Sequence, residues 1–148
     1  MSKQAVKVII RTRPTDQFAV KNLKVNCDSG NFEVQIDKKD QGFVNNGLDN
    51  WKFKFQHIMH NATQDDVYDT SSAEIVQSVV KGYNGSIMCY GQTGSGKTYT
   101  MLGLTNNYKQ RGIIPRSIQQ IYSECSQKFD QAITIRVSYV EIYNEKVS

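Results

Sequence analysis

Ala5-Val6-Lys7-Val8-Ile9-Ile10 is a nearly unbroken apolar, β-branched run, the pattern of a central strand covered on both faces. Pro14 closes it, because proline cannot donate to a ladder. Leu23-Lys24-Val25 and Phe32-Glu33-Val34-Gln35-Ile36 alternate apolar with polar, as strands with one wet face do, and Asn45-Asn46-Gly47 is a turn signal. Trp51-Lys52-Phe53-Lys54-Phe55 alternates again, so this stretch reads as a small peripheral hairpin or meander.

The period then changes. Thr63 followed three residues later by Asp66 is a capping-box start, and Val67, Tyr68, Ile75, Val76, Val79 and Val80 follow at helical spacing, up to Gly82 as C-terminal cap. One face of this helix is expected to pack on a sheet. Ser86-Ile87-Met88-Cys89-Tyr90 reads as a short buried strand, followed by a helix opening near Lys97 and a polar loop through Asn106-Asn107. Pro115 is expected to begin a further helix carrying Ile118, Ile121, Tyr122 and Cys125, and Ile133 to Val140 reads as a long strand. Strands alternating with helices predict a three-layer α/β domain, with a central, mostly parallel sheet flanked by helices and a peripheral β-meander.

The chemistry concentrates between the 86–90 strand and the helix after it. Gly91-Gln92-Thr93-Gly94-Ser95-Gly96-Lys97-Thr98 fits G-x-x-x-x-G-K-[ST], the phosphate-binding P-loop, in the strand-loop-helix setting that pattern requires. Its glycines let backbone N–H groups turn inward around phosphate oxygens. Lys97 then reaches the β- and γ-phosphates as a point charge, and the Thr98 hydroxyl ligates the Mg2+ that bridges them. The expected ligand is a nucleoside triphosphate with magnesium.

Composition narrows the alternatives. The chain has 148 residues, 39% of them hydrophobic, and a formal charge of +4 with its lysines scattered, as at Lys38-Lys39 or Lys52 and Lys54. It reads as one ordinary globular domain without a nucleic-acid patch. No apolar run is long enough to cross a bilayer, and Met1-Ser2-Lys3-Gln4 lacks a signal-peptide core, so a cytosolic chain without membrane partners is expected. Cys27, Cys89 and Cys125 are odd in number and far apart, which supports neither a disulfide framework nor a zinc site. His57 and His60 have no carboxylate or cysteine at ligand spacing and read as loop histidines.

Three separate segments, YGQTGSGKTYTM from Tyr90, RGIIPR from Arg111 and SYVEIYNE from Ser138, together with Arg11-Thr12-Arg13-Pro14, resemble the kinesin motor domain in that family's order across essentially the whole chain. The resemblance implies an ATPase that couples hydrolysis to movement or attachment on microtubules, with tubulin contacted through segments mostly beyond residue 148. It implies that Arg11, Arg13 and Pro14 flank the adenine and that Tyr99 supplies the other stacking surface. A guanidinium plane, a proline ring and a phenol can all lie flat on a purine. For Tyr99, packing on the sheet is the alternative. Within the family, Gly82 to Tyr90 and Asn107 to Arg116 are most similar to the ninth kinesins, which work in cilia and flagella. A cytoskeletal, axonemal location and a larger chain or ciliary complex follow as expectations.

Two departures qualify the resemblance. Gln56 stands where the family more often has aspartate, and nothing catalytic depends on it. Ser148 falls near the midpoint of the family's motor domain, ahead of the serine-rich first switch, the D-x-x-G second switch and the microtubule-binding helices. The domain is therefore expected to be incomplete at its C-terminus, and residues 1–148 alone to be inactive. Glu141 is not the magnesium-binding acid, which in the family belongs to the D-x-x-G segment; it is expected to pair with a base or face solvent. The rival reading is a truncated, non-catalytic kinesin-like component of an axonemal assembly. A P-loop kinase or a GTPase of another family fits poorly, since it accounts for neither RGIIPR nor SYVEIYNE and no N-K-x-D guanine-reading motif occurs.

Overall fold

The computed structural model describes residues 6–36, 49–104, 106–130 and 132–147. The turn expected at Asn45-Asn46-Gly47 lies outside them. Strand β1 (Ile9–Arg11) pairs in parallel with β5 (His57–Met59), Ile10 opposite Ile58. Between them in sequence, β2 (Leu23–Asn26), β3 (Asn31–Gln35) and β4 (Asn50–Lys54) form the antiparallel meander that the alternating patterns predict. Gln56, one residue before β5, extends the β1–β5 pairing, its side-chain carbonyl accepting the Val8 N–H at 2.8 Å.

Helix α1 (Gln64–Ser71) starts at the predicted capping box. Asp66 N–H donates to the Thr63 hydroxyl oxygen at 3.1 Å, while the Thr63 N–H and O–H donate to the Asp66 carboxylate at 3.0 and 2.7 Å. The single helix expected up to Gly82 is kinked instead: α2 (Ala73–Val80) begins beyond Ser72, whose φ of −130° leaves the helical range. The cause is local. The Ser71 hydroxyl bonds back to the Val67 carbonyl at 2.6 Å and pairs with the Ser72 hydroxyl at 2.7 Å, competing with the regular ladder. Gly82 takes φ +98° and closes α2 as a Schellman cap, its N–H donating to Val79 and that of Tyr83 to Ser78.

The core lies between β5 and the helices, where Met59, Val67, Tyr68 and Ile113 are buried together and Ile9, Ile87 and Met101 pack against them. Helix α4 (Ile113–Cys125) begins two residues before Pro115, which falls in the first turn where no backbone donor is needed. Its expected apolar face packs only in part: Ile121 and Cys125 are half-buried. Ile118 and Tyr122 are exposed, and contact with α1 and α2 runs through Gln120, which accepts the Tyr68 O–H at 2.5 Å and donates to the Ala73 carbonyl and to Glu124.

Two expected strands are corrected. Residues 86–90 and 133–140 join no ladder. Met88 and Tyr90 are 90% and 98% exposed, so the 86–90 strand is not buried as expected; Ile87 and Cys89 alternate with them at intermediate exposure. Both segments have strand composition, but a strand is stabilised by pairing, and neither segment has a ladder partner among the described residues. Beyond 140 the chain forms a short hairpin of β6 (Ile142–Tyr143) and β7 (Lys146–Val147), turning at Asn144 and Glu145 with φ 47° and 61°. Glu141 is solvent-exposed. Among the described residues no helix is long and apolar enough to cross a membrane.

Candidate nucleotide-binding site

The loop Gly91–Gly96 leads into α3 (Lys97–Met101) through Gly94 and Gly96, which take φ of +78° and +102°. A Cβ at Gly96 would meet no neighbouring atom, so glycine is required there by backbone conformation rather than by space. The Ser95 N–H closes the loop onto the Gln92 carbonyl at 3.1 Å. The first intrahelical bond of α3 runs from Thr100 N–H to Gly96 at 2.9 Å, which leaves the N–H groups of Lys97, Thr98 and Tyr99 as unpaired first-turn donors. Backbone donors at a glycine-rich turn are the chemistry that a phosphate requires.

The Lys97 ammonium sits in the same loop, donating to the Gly91 and Gln92 carbonyls at 2.8 and 2.9 Å. Gln92, Thr93 and Gly94 are exposed at its rim, Ser95 is half-buried, and the Thr98 hydroxyl faces solvent at the start of α3. The charge here is one-sided. Among the described residues the ion pairs are Lys52–Glu33 and Arg116–Asp65, so Lys97, Arg11 and Arg13 have no carboxylate partner. A cradle of donors with an uncompensated ammonium and an exposed hydroxyl fits a triphosphate with magnesium.

The segment after β1 borders the loop. Arg13 donates to the Gly94 carbonyl at 3.0 Å, fastening the loop's tip, and Pro14 beside it is exposed. Arg11 is half-buried, with its Nη1 donating to Gln64 Oε1 and Thr100 Oγ1, both at 2.9 Å, and its guanidinium carbon 5.4 Å from the centre of the Tyr99 ring. Burial lowers the Arg11 pKa, opposed by the Tyr99 and Cys89 side chains, and burial pushes the Cys89 thiol up. Every residue predicted for the site therefore lies on the loop, on α3 or on the segment from β1 that borders them.

Two residues that sequence reasoning did not single out support this arrangement. Gln64 is 4% exposed and bonds Arg11, the Tyr99 carbonyl and the Gln110 carbonyl. Its one signal was its place at the first position after a capping threonine, where a polar residue is ordinary. Arg116, the last residue of RGIIPR, pairs with Asp65 and donates to the carbonyls of Arg111 and Lys109, fixing α4 to α1. His60, read as a loop histidine, bonds the Thr12 hydroxyl through Nδ1 at 2.9 Å and packs on Phe18.

Residues 11–148 match the kinesin motor domain model. The chain is 48% identical over 148 residues to the kinesin-like protein KIF9 of Mus musculus and 46% identical to that of Homo sapiens. It is 43% identical to the kinesin-like protein KLP1 of Chlamydomonas reinhardtii. Each alignment covers 99% of this chain and 19% of the relative, so the chain spans about a fifth of the length of these proteins. A P-loop with its lysine seated, bordered by an R-x-R-P segment and matched along nearly the whole chain, has one consequence: this chain belongs to the kinesin motor domain family, with the ninth kinesins among its relatives.

Proposed function

We propose that this chain is the ATP-holding part of a microtubule-based motor, and that the protein it belongs to couples ATP hydrolysis to movement or attachment along microtubules. The observation that carries the reading is the Gly91–Thr98 loop, with left-handed Gly94 and Gly96 and the Lys97 ammonium within it. Lys97 exchanges its two loop carbonyls for β- and γ-phosphate oxygens, and the first-turn N–H groups of α3 take the remaining phosphate charge. Thr98 is the residue that would hold Mg2+, which when bound neutralises charge between those oxygens. Arg13, Pro14 and the ring of Tyr99 receive the purine. Arg11 occupies one face of that ring, so the base meets the other.

The family supports a P-loop α/β fold, and we extend it to a three-layer arrangement with a central, mostly parallel sheet flanked by helices. The 148 residues contain no D-x-x-G segment, so they are expected to bind nucleotide without microtubule-stimulated turnover. The similarity to KIF9 and the wording of Gly82–Tyr90 and Asn107–Arg116 support a cytoskeletal location in a cilium or flagellum, with tubulin as partner. The test is calorimetry of Mg-ATP with Lys97→Ala. Tight binding is expected to vanish, and retention of the parent affinity would remove the site assignment.

A further inference from the structure

Gln64 is a buried amide whose three polar contacts go to three different segments: Arg11 at the end of β1, the Tyr99 carbonyl in α3 and the Gln110 carbonyl before α4. Its orientation is fixed by donor and acceptor chemistry. The NH2 group donates to two carbonyls at 2.8 and 3.2 Å, and the oxygen accepts from a guanidinium that can only donate. A flipped amide would set donor against donor and acceptor against acceptor. Gln64 thus holds both members of the cation–π pair at once, Arg11 through its side chain and Tyr99 through its backbone. Thr100 supplies a second anchor for the same Arg11 nitrogen.

We propose that Gln64 is a positioning residue for the nucleotide base, fixing the Arg11–Tyr99 pair as a rigid platform on which the purine stacks. The inference rests on the reading of Gly91–Thr98 as a nucleotide site. It adds that base recognition depends on a residue from the helix after β5, outside the loop and outside the R-x-R-P segment. Gln64 makes no bond to the Gly91–Gly96 loop or to Lys97, and its contact with α3 is to the Tyr99 carbonyl rather than to any first-turn N–H, so none of the phosphate donors is its direct partner.

The experiment compares the affinities of Mg-ATP and Mg-tripolyphosphate in the full-length protein, for the parent, Gln64→Met, Arg11→Met and the double variant. Gln64→Met is expected to weaken Mg-ATP about tenfold, the scale of one lost hydrogen bond to a charged group, and to change tripolyphosphate by less than about twofold. In the Arg11→Met background the same substitution is expected to add little, because Gln64 acts through that arginine. Equal weakening of both ligands, unchanged Mg-ATP affinity or additive losses would each overturn the proposal. Should Gln64→Met not fold, Thr100→Val removes the other Arg11 anchor and is expected to give a smaller, equally base-selective loss. Unchanged Mg-ATP affinity in Thr100→Val would count against the proposal. A parent that binds neither ligand would instead refute the nucleotide site itself, before any variant is made.

Discussion

Residues 57–76 and residues 133–147 are both rich in apolar side chains, yet the first stretch contributes Ile58, Met59, Val67, Tyr68 and Val76 to the core and the second contributes nothing to it. Val137 is 78% exposed. The difference is partnership. Met59 has β1 beside it and Ile113 packed against it, whereas the 133–140 segment has no ladder partner among the described residues and no side chain in the core cluster. Apolar pattern marks which face can be buried, and a neighbour decides whether it is.

The largest expected effect tests that contrast directly. Ile113→Ala, at a side chain 4% exposed, should destabilise the protein by about 2–5 kcal/mol, while Val137→Ala should stay within about 0.5 kcal/mol. Urea unfolding of both variants measures it. A comparable cost at Val137 would mean that the 133–140 segment is packed in solution, and the contrast would fail.

Arg116→Met comes next, because it tests a polar rather than an apolar partnership. Arg116, with its side chain 12% exposed, joins α4 to α1 and to the preceding turn through Asp65, Arg111 and Lys109. Methionine keeps much of the volume and leaves the partly buried Arg111 carbonyl without its donor, a cost of about 1–3 kcal/mol. An Arg116→Met variant as stable as the parent would show that this polar join adds nothing to the hold on α4.

These cases also separate what the sequence disclosed from what it did not. Local signals with a local mechanism were legible: the Thr63–Asp66 box, Gly82, the meander and the P-loop each depend on residues a few positions apart. Failures came where the outcome depended on distant partners. The 86–90 and 133–140 segments have strand chemistry without a ladder, and α4 is rotated so that Gln120, which finds Tyr68 and Ala73, shares its inner side with Ile121 and Cys125 while Ile118 and Tyr122 stay exposed. Gln64 was invisible for the same reason, since its contacts lie 35 to 53 residues away. Ser71-Ser72 was local and still missed, because two serines within a helical period leave the hydrophobic pattern unchanged while bending the backbone.

A smaller effect is expected at Gly82, whose φ of +98° closes α2. A Cβ there meets no atom, so Gly82→Ala isolates the cost of the left-handed conformation, about 1–2 kcal/mol. Thermal unfolding would detect it. A neutral result would mean that the Schellman turn relaxes freely and that the cap contributes little.

The smallest effect concerns the start of α1 and depends on pH. The hydroxyl and then the backbone N–H of Thr63 hold the Asp66 carboxyl below its ordinary pKa. A carboxyl whose folded pKa is depressed binds protons more readily in the unfolded chain. Its stabilisation is therefore fully present above the unfolded value, near pH 4, and is lost as pH falls through the folded value. Asp66→Asn keeps an oxygen for the Thr63 N–H but removes the titration. Parent and variant should thus converge in stability as pH falls from 5 toward 3, with the parent ahead at neutral pH. Thr63→Ala, which removes the cap itself, should cost about 1 kcal/mol at pH 7. Urea midpoints at pH 7, 5 and 3 distinguish the two variants, and a gap between parent and Asp66→Asn that does not narrow at low pH would show that the box stabilises α1 by hydrogen bonding without help from charge.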